Sequence, residues 1–181
     1  MAAKRILITG GPGSGKTALI KHLEKQGHSV QHEISREITL QAQKDGIAQL
    51  FLENPILFSQ KLLEERLEQF KAAESCSKSI LFYDRGVADV TAYLDFLKVH
   101  YPPHFTDECN ANRYDVVFVL PPWEKIYVTD NERYESYEQA ETIYRHLRKG
   151  YEKYGYALIE VPVGTVQERT EFILNKLNHI L

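Results

Sequence analysis

The chain has 181 residues, of which 43% are hydrophobic, and its formal net charge is -3. This length and composition fit one soluble globular domain, and the small negative charge argues against a protein whose whole surface binds nucleic acid. The two cysteines, Cys76 and Cys109, do not form the pattern of a disulfide-stabilised secreted protein, and no apolar stretch has the length of a membrane span. The first predicted strand begins close to the first residue, which leaves no room for a secretory signal. We therefore expect a single cytoplasmic domain over residues 1–181, with no integral membrane segment.

Apolar runs that alternate with segments of helical periodicity predict the fold. Strands are predicted at residues 5–9, 29–32, 79–83, 116–120 and 157–161. Helices are predicted at 15–26, 35–44, 54–77, 87–97, 136–154 and 166–181, whereas the segment 100–115, rich in Pro, Asn, Asp and Tyr, predicts an irregular loop. The alternation predicts a three-layer α/β/α fold with a mostly parallel five-stranded sheet.

A glycine-rich motif joins the first predicted strand to the first predicted helix. It fits G-x-x-x-x-G-K-[ST] in full, with residues Gly10, Gly11, Pro12, Gly13, Ser14, Gly15, Lys16 and Thr17. Glycines allow a sharp turn whose N–H groups face phosphates, and the following helix adds the positive end of its dipole. Lys16 can reach the β- and γ-phosphates, and the Thr17 hydroxyl can join the coordination of Mg²⁺. The motif predicts a site for ATP or GTP with Mg²⁺.

Asp84 and Arg85 follow the third predicted strand directly. Ligands of open α/β folds bind at the carboxyl ends of the strands. A carboxylate there can hold Mg²⁺ or accept the proton of an attacking hydroxyl, and a guanidinium beside it can clamp a phosphate. We predict a catalytic role for both residues and a metal-binding role for Asp84. The alternative is a surface Asp-Arg pair that opens a helix.

These motifs, with "QHEISREI" and "DNERYESYEQAETIYRHL", resemble the P-loop domains known as NadR-type AAA domains. That family includes the nicotinamide riboside kinase domain of NadR, and the chain is more distantly similar to nucleoside and nucleotide kinases. The resemblance covers nearly the whole chain. It implies the strand order of the P-loop kinases, an ATP or GTP site and a small lid at approximately 124–135, but it does not imply one substrate.

Four further residues take roles from this resemblance. Glu33, just past the second strand, is expected to orient the acceptor hydroxyl; the alternative is that it only stabilises a helix start. Arg133, in a D-x-x-R pattern that lacks the expected glycine, is expected to close with the lid on the transferring phosphoryl group. Pro162 and Val163, after the last strand, are expected to pack against the purine.

Two functions of different classes remain open. The first is an ATP-dependent kinase for a small, nucleoside-like acceptor that binds between segments 35–77 and 100–115. The second is a regulatory or lipid-associated switch that binds GTP or ATP and hydrolyses it slowly. The sequence lacks the N-K-x-D motif of regulatory GTPases, which favours ATP while leaving GTP open. We expect no nucleic-acid partner, and the oligomeric state is undetermined.

Overall fold

A parallel sheet forms the centre of the computed structural model, which describes residues 2–127 and 136–181. Its strands are β1 (Lys4–Gly10), β2 (Ser29–Gln31), β3 (Ile80–Asp84), β4 (Val116–Leu120) and β5 (Leu158–Glu160). They lie in the order β2-β3-β1-β4-β5, and each neighbouring pair is parallel. The predicted five-stranded parallel sheet is thereby confirmed.

Helices cover both faces of this sheet. They are α1 (Lys16–Lys25), α2 (Ser35–Lys44), α3 (Leu50–Glu53), α4 (Pro55–Lys71), α5 (Val87–Phe96), α6 (His104–Ala111), α7 (Tyr137–Lys153) and α8 (Val166–Ile180). Short 3-10 helices occupy Ala72–Glu74 and Glu124–Ile126. In the described part of the chain, no helix is both long and apolar enough to cross a membrane.

Most of the apolar core lies in two halves, one on each face of the sheet, because successive side chains of a strand point to opposite faces. Leu7 of β1 belongs to the half that α4, α5 and α7 cover, with Leu63, Leu94 and Tyr151. Its neighbours Ile6 and Ile8 belong to the half that α1 and α8 cover, with Leu19, Leu23, Ile173 and Leu177. These two halves hold β1 in the middle of three layers, so the glycine-rich motif that follows it starts from a rigid strand.

The prediction of an irregular loop at 100–115 is wrong, because His104–Ala111 form α6. Two prolines precede the helix, where a fixed φ favours the first turn. Phe105 and Cys109, four residues apart, lie on one face of α6 and are both buried. A stripe of only two apolar residues is enough here because it packs on a preformed core, whereas composition alone indicated a loop.

Candidate nucleotide and acceptor site

The glycine-rich motif forms a loop between β1 and α1, as predicted. Gly13 and Gly15 have φ angles of 70° and 71°, a region that side-chain-bearing residues rarely occupy. The Ser14 hydroxyl donates a hydrogen bond of 2.8 Å to the carbonyl of Gly11 and closes the loop on itself. The backbone N–H of Trp123, after β4, donates to the carbonyl of Gly13 at 3.0 Å. The loop is therefore held by a hydrogen bond between two of its own residues and by another from the segment after β4.

Lys16 and Asp84 form a buried ion pair across the edge of the sheet. The Lys16 ammonium donates directly to Oδ1 of Asp84, and the two residues are only 7% and 6% exposed. Parallel pairing sets Asp84 opposite Ile8, so the end of β3 lies beside the glycine-rich loop. Burial lowers the pKa of Lys16 and the nearby Arg85 lowers it further, whereas Asp84 opposes both effects. The charge of the lysine is thus balanced by the carboxylate of Asp84.

Glu33 is a carboxylate surrounded by donors. Its Oε1 accepts hydrogen bonds of 3.1 Å from the N–H groups of Ile34 and Ser35 at the start of α2, and one of 3.2 Å from Nη2 of Arg66. Its Oε2 contacts Nε of Arg85. Burial alone would raise the pKa of Glu33, but the two arginines outweigh it and lower the pKa to about 2. Glu33 therefore stays ionised near neutral pH and is a poor proton acceptor.

Arg85 lies between Glu33 and a second carboxylate, Asp89. Its backbone has a φ of 71°, which is unusual for a residue with a side chain, and its N–H donates to the carbonyl of Ile8 at 3.0 Å. Nη1 lies 3.3 Å from Oδ1 of Asp89, and the guanidinium sits 5.3 Å from the centre of the Tyr93 ring. The side chain is therefore fixed on three sides, with its charge directed at the loop that follows β2.

Asp89, which the sequence analysis did not single out, connects this arginine to the glycine-rich loop. It is fully buried and accepts hydrogen bonds from the Thr9 hydroxyl at 2.7 Å, from the Gly86 N–H at 2.9 Å and from the Tyr151 hydroxyl. Thr9 lies on β1, directly before the glycine-rich motif. The sequence signal for Asp89 is a lone charge in the otherwise apolar start of α5, "VADVTAYL".

Arg66 was also not singled out. It lies on the buried face of α4 beside Leu62 and Leu63, and it is 3% exposed. Nη1 donates to the carbonyl of Gly86 at 2.9 Å, while Nη2 holds Glu33. The sequence feature that could have identified Arg66 is its place within an apolar helical stripe, because a buried arginine needs a partner for its charge.

One cavity of about 860 Å³ contains most of the predicted site. It brings together the loop residues from Gly11 to Thr17 with Glu33, Asp84 and Arg85, as the sequence analysis expected. Its remaining border comes from α1, from the β2–α2 region and from α5, with Ala18, Lys21, His32, Ser35, Arg36, Glu37 and Tyr93. No residue of the segment 100–115 lines it, and Tyr93 of α5 borders it instead.

Some predicted residues lie elsewhere. Pro162 and Val163 are exposed in the loop after β5 and do not border this cavity, so their contact with a purine stays a prediction. Gly10 ends β1, and a Cβ added there would lie 2.9 Å from the carbonyl oxygen of Leu120 in β4. Arg133 and most of the proposed lid, 128–135, lie outside the described residues.

The oxygen donors of Thr17 and Asp84 fit a magnesium ion. Both residues border the cavity, and Mg²⁺ prefers a few protein oxygens together with substrate phosphates and several waters. Within residues 2–127 and 136–181 there is no cluster of three or more His, Cys, Asp or Glu side chains able to hold a metal.

The sequence comparison decides the family. Residues 5–169 match the family described as AAA domain. The chain belongs to this family. The resemblance inferred from the motifs is confirmed, whereas no curated protein matches the sequence of this AAA domain.

Solved structures with the same fold include kinases. A deoxyadenosine kinase from M. mycoides with products dcmp and a flexible dcdp bound has a TM-score of 0.70 and 22% identity, covering 97% of this AAA domain and 100% of that chain. NadR protein in complex with NR has a TM-score of 0.75 and 16% identity, covering 98% of this chain and 49% of that chain. NadR protein in complex with NAD and AMP-PNP has a TM-score of 0.71 and 17% identity, covering 98% of this chain and 49% of that chain. At these identities the likeness shows the fold alone, and it confirms the predicted P-loop kinase-like architecture.

Proposed function

We propose that this AAA domain is a small-molecule kinase that transfers the γ-phosphoryl group of a nucleoside triphosphate to a hydroxyl of a nucleoside-like acceptor. The observation that carries the proposal is that Glu33, Asp84 and Arg85 border the same cavity as the glycine-rich loop. A protein that only bound a nucleotide would need the loop and a ligand for Mg²⁺, but it would not need Glu33 and Arg85 beside them.

The donor side of the site is the loop and α1. The loop N–H groups and the start of α1 favour anionic phosphates, and Lys16 adds a cation at their edge. Mg²⁺, when bound through Thr17 and Asp84, would neutralise charge on the transferring phosphate. In that state we expect Lys16 to turn from Asp84 to the phosphates, because the triphosphate carries more negative charge than one carboxylate.

The acceptor side is formed by β2, β3 and α5. We propose that Asp84 binds the acceptor hydroxyl or a Mg²⁺ ion, because it ends β3, the strand beside β1, and is bonded to Lys16. Glu33 has a pKa near 2, so its role is to accept a hydrogen bond and orient the acceptor, not to take its proton. Arg85 is held in place by Glu33 and Asp89 and can stabilise negative charge near the transferred group.

Support for a nucleoside-like acceptor comes from the cavity wall and from the relatives. Tyr93 offers an aromatic ring beside Arg85, suited to a planar group. The related folds were solved with dcmp and with NR, which are a nucleotide product and a ligand of those proteins. The lid at 124–135 with Arg133, and the contact of Pro162 and Val163 with the base, remain parts of this proposal.

The test is a screen that crosses MgATP and MgGTP with a panel of nucleosides. Nucleoside diphosphate formation should rise when the correct acceptor is added, and the same acceptor should raise the melting temperature further in the presence of a non-hydrolysable nucleotide. Turnover that no acceptor stimulates, across a broad panel, would contradict the kinase assignment and favour a switch protein.

A further inference from the structure

Two arginines hold the carboxylate of Glu33, and only one of them lies in the cavity. Arg85 and Glu33 border the cavity that contains the glycine-rich loop, whereas Arg66 lies outside its border. Arg66 is 3% exposed, on the face of α4 that also buries Leu62 and Leu63. A ligand in the cavity can therefore compete with Glu33 for Arg85, but Arg66 stays behind the carboxylate, out of the ligand's reach.

The guanidinium of Arg66 joins two separate segments of the site. Nη2 donates to Oε1 of Glu33 at 3.2 Å, in the segment after β2, and Nη1 donates to the carbonyl of Gly86 at 2.9 Å, in the turn after β3. A guanidinium is planar and its donors have fixed directions, so the two bonds set the spacing of the two segments. Arg66 therefore fixes Glu33 relative to the turn that begins with Arg85.

This turn is a rigid point of attachment. The N–H of Gly86 donates to Oδ2 of Asp89 at 2.9 Å, so both polar groups of Gly86 are bonded to buried side chains. A Cβ added to Gly86 would lie only 2.8 Å from Cε2 of Tyr114, which is itself buried. Arg66 thus connects Glu33 to a part of the core that has little room to move.

The electrostatics also favour Arg66 as the main partner of Glu33. Burial alone would raise the pKa of Glu33, and among the groups that lower it to about 2, Arg66 has the largest effect, ahead of Arg85. A buried charge that loses its partner is strongly destabilising. With Arg66 in place, Glu33 keeps a partner even when Arg85 turns to an anionic ligand.

We propose that Arg66 is a positioning residue of the kinase site, which keeps Glu33 oriented towards the acceptor hydroxyl while Arg85 binds the transferred phosphoryl group. This inference rests on the proposed function. Arg66 touches neither the acceptor nor the nucleotide, and it acts through Glu33 and the turn at Gly86. A displacement of about 1 Å in a reacting geometry can cost about 10²-fold in rate, so the loss of this arginine should affect phosphoryl transfer more than nucleotide binding.

The first measurement needs no acceptor. Carbon-13 NMR follows the glutamate carboxyl groups as the pH falls, and the signal of Glu33 is the one that is missing in Glu33→Gln. Arg66→Gln removes the charge but keeps an amide donor, so the pKa of Glu33 should rise by at least about one unit. Lys61→Gln removes a cation from an exposed position of the same helix and should leave that pKa unchanged. An unchanged pKa of Glu33 in Arg66→Gln would overturn the assignment.

The second measurement separates positioning from a purely structural role. With the acceptor that the screen identifies, Arg66→Gln and Arg66→Lys should each lower kcat at least about tenfold, because neither side chain has the planar fork that bonds Glu33 and Gly86 together. The Kd for the nucleotide should stay the same, because the glycine-rich loop is untouched. Lys61→Gln should have the kcat of the native protein.

The same substitution is then made in the Glu33→Gln protein. If Arg66 acts through Glu33, Arg66→Gln should cause a much smaller further loss of kcat there. An equal loss in both backgrounds would overturn the assignment, because the effect would not pass through the carboxylate. Arg66→Lys keeps the buried charge and serves if Arg66→Gln does not fold. If no acceptor stimulates turnover, the kinase assignment fails, whereas the titration of Glu33 still decides whether Arg66 holds the carboxylate.

Discussion

Lys16 and Asp84, 68 positions apart in the chain, meet as a buried ion pair at the carboxyl edge of the sheet. The pair exists because β1 and β3 are parallel neighbours in a register that sets Ile8 opposite Asp84. Asp84 ends the buried strand β3, and Lys16 begins α1 directly after the glycine-rich loop. The parallel pairing of β1 and β3 therefore brings these two side chains of the site together.

This ion pair makes a testable prediction about stability. Lys16→Met leaves a buried carboxylate, and Asp84→Asn leaves a buried ammonium, so each should lower the free energy of unfolding by about 3 kcal/mol. The double variant should lose less than the sum of the two, with a coupling energy of at least about 1 kcal/mol. Urea denaturation of the four proteins measures it, and strictly additive losses would show that the two side chains do not interact in solution.

Glu33 predicts how stability depends on pH. Its folded-state pKa of about 2 lies below the ordinary value of 4.5, so its contribution is complete above pH 4.5 and disappears as the pH falls towards 2. The contribution is about 3 kcal/mol at neutral pH. Glu33→Gln should therefore be less stable than the native protein at neutral pH.

The gap between the native protein and Glu33→Gln should shrink by about 1 kcal/mol on going to about pH 3.5, because the unfolded state takes up a proton there that the folded state does not. Denaturant titrations at both pH values measure the gap. Glu37→Gln, at an exposed position one turn further on in α2, is the matched control. A gap that does not change with pH would mean that Arg66 and Arg85 do not hold the carboxylate in its ionised form.

Adding a side chain at Gly13 is expected to distort the glycine-rich loop. A Cβ at this position would overlap the ring of Tyr127, and the φ of 70° adds backbone strain. Gly46→Ala is the control, because Gly46 also has a positive φ, of 87°, but nothing lies within 4 Å of its Cβ position. Both variants should lose about 1–2 kcal/mol from backbone strain, and Gly13→Ala should lose more. Only Gly13→Ala should weaken nucleotide binding, as measured by calorimetry; equal behaviour of the two would contradict the packing of Tyr127 on the loop.

The Tyr151 hydroxyl is expected to help position Arg85 through Asp89. It donates to Asp89, which in turn holds Arg85 and Thr9, so Tyr151→Phe removes one support of the network without touching the cavity. We expect a loss of about 1–3 kcal/mol in stability and a lower kcat with little change in nucleotide affinity. Tyr144→Phe, on the same helix but bonded to Glu160 at the surface, should leave kcat unchanged. If Tyr151→Phe had the same kcat as the native protein, Asp89 would not be needed to position Arg85.

Features that depend on neighbouring residues were predicted from the sequence, whereas features that depend on residues far apart in the chain were not. The sheet, the glycine-rich loop and Asp84 follow from local patterns: a buried strand, the residues directly after it and a helix start. Arg66 and Asp89 did not, because their partners Glu33 and Thr9 are 33 and 80 positions away. A charge in an apolar helical stripe indicates that a partner exists, but only the fold tells which one. Likewise α6 was missed because its two apolar residues become a helix face only against α5.

The central claim is that Asp84 acts in phosphoryl transfer, and it is tested most directly by Asp84→Asn. The variant keeps the size of the side chain but removes its charge, so acceptor-stimulated formation of nucleoside diphosphate should fall at least about 10²-fold. The Kd for the nucleotide should stay the same or decrease, because the loop is intact and Lys16 loses the carboxylate that competes with the phosphates. Circular dichroism confirms that the variant is folded under the assay conditions. Full turnover in Asp84→Asn would contradict the account, because the carboxylate at the end of β3 would then take no part in the reaction.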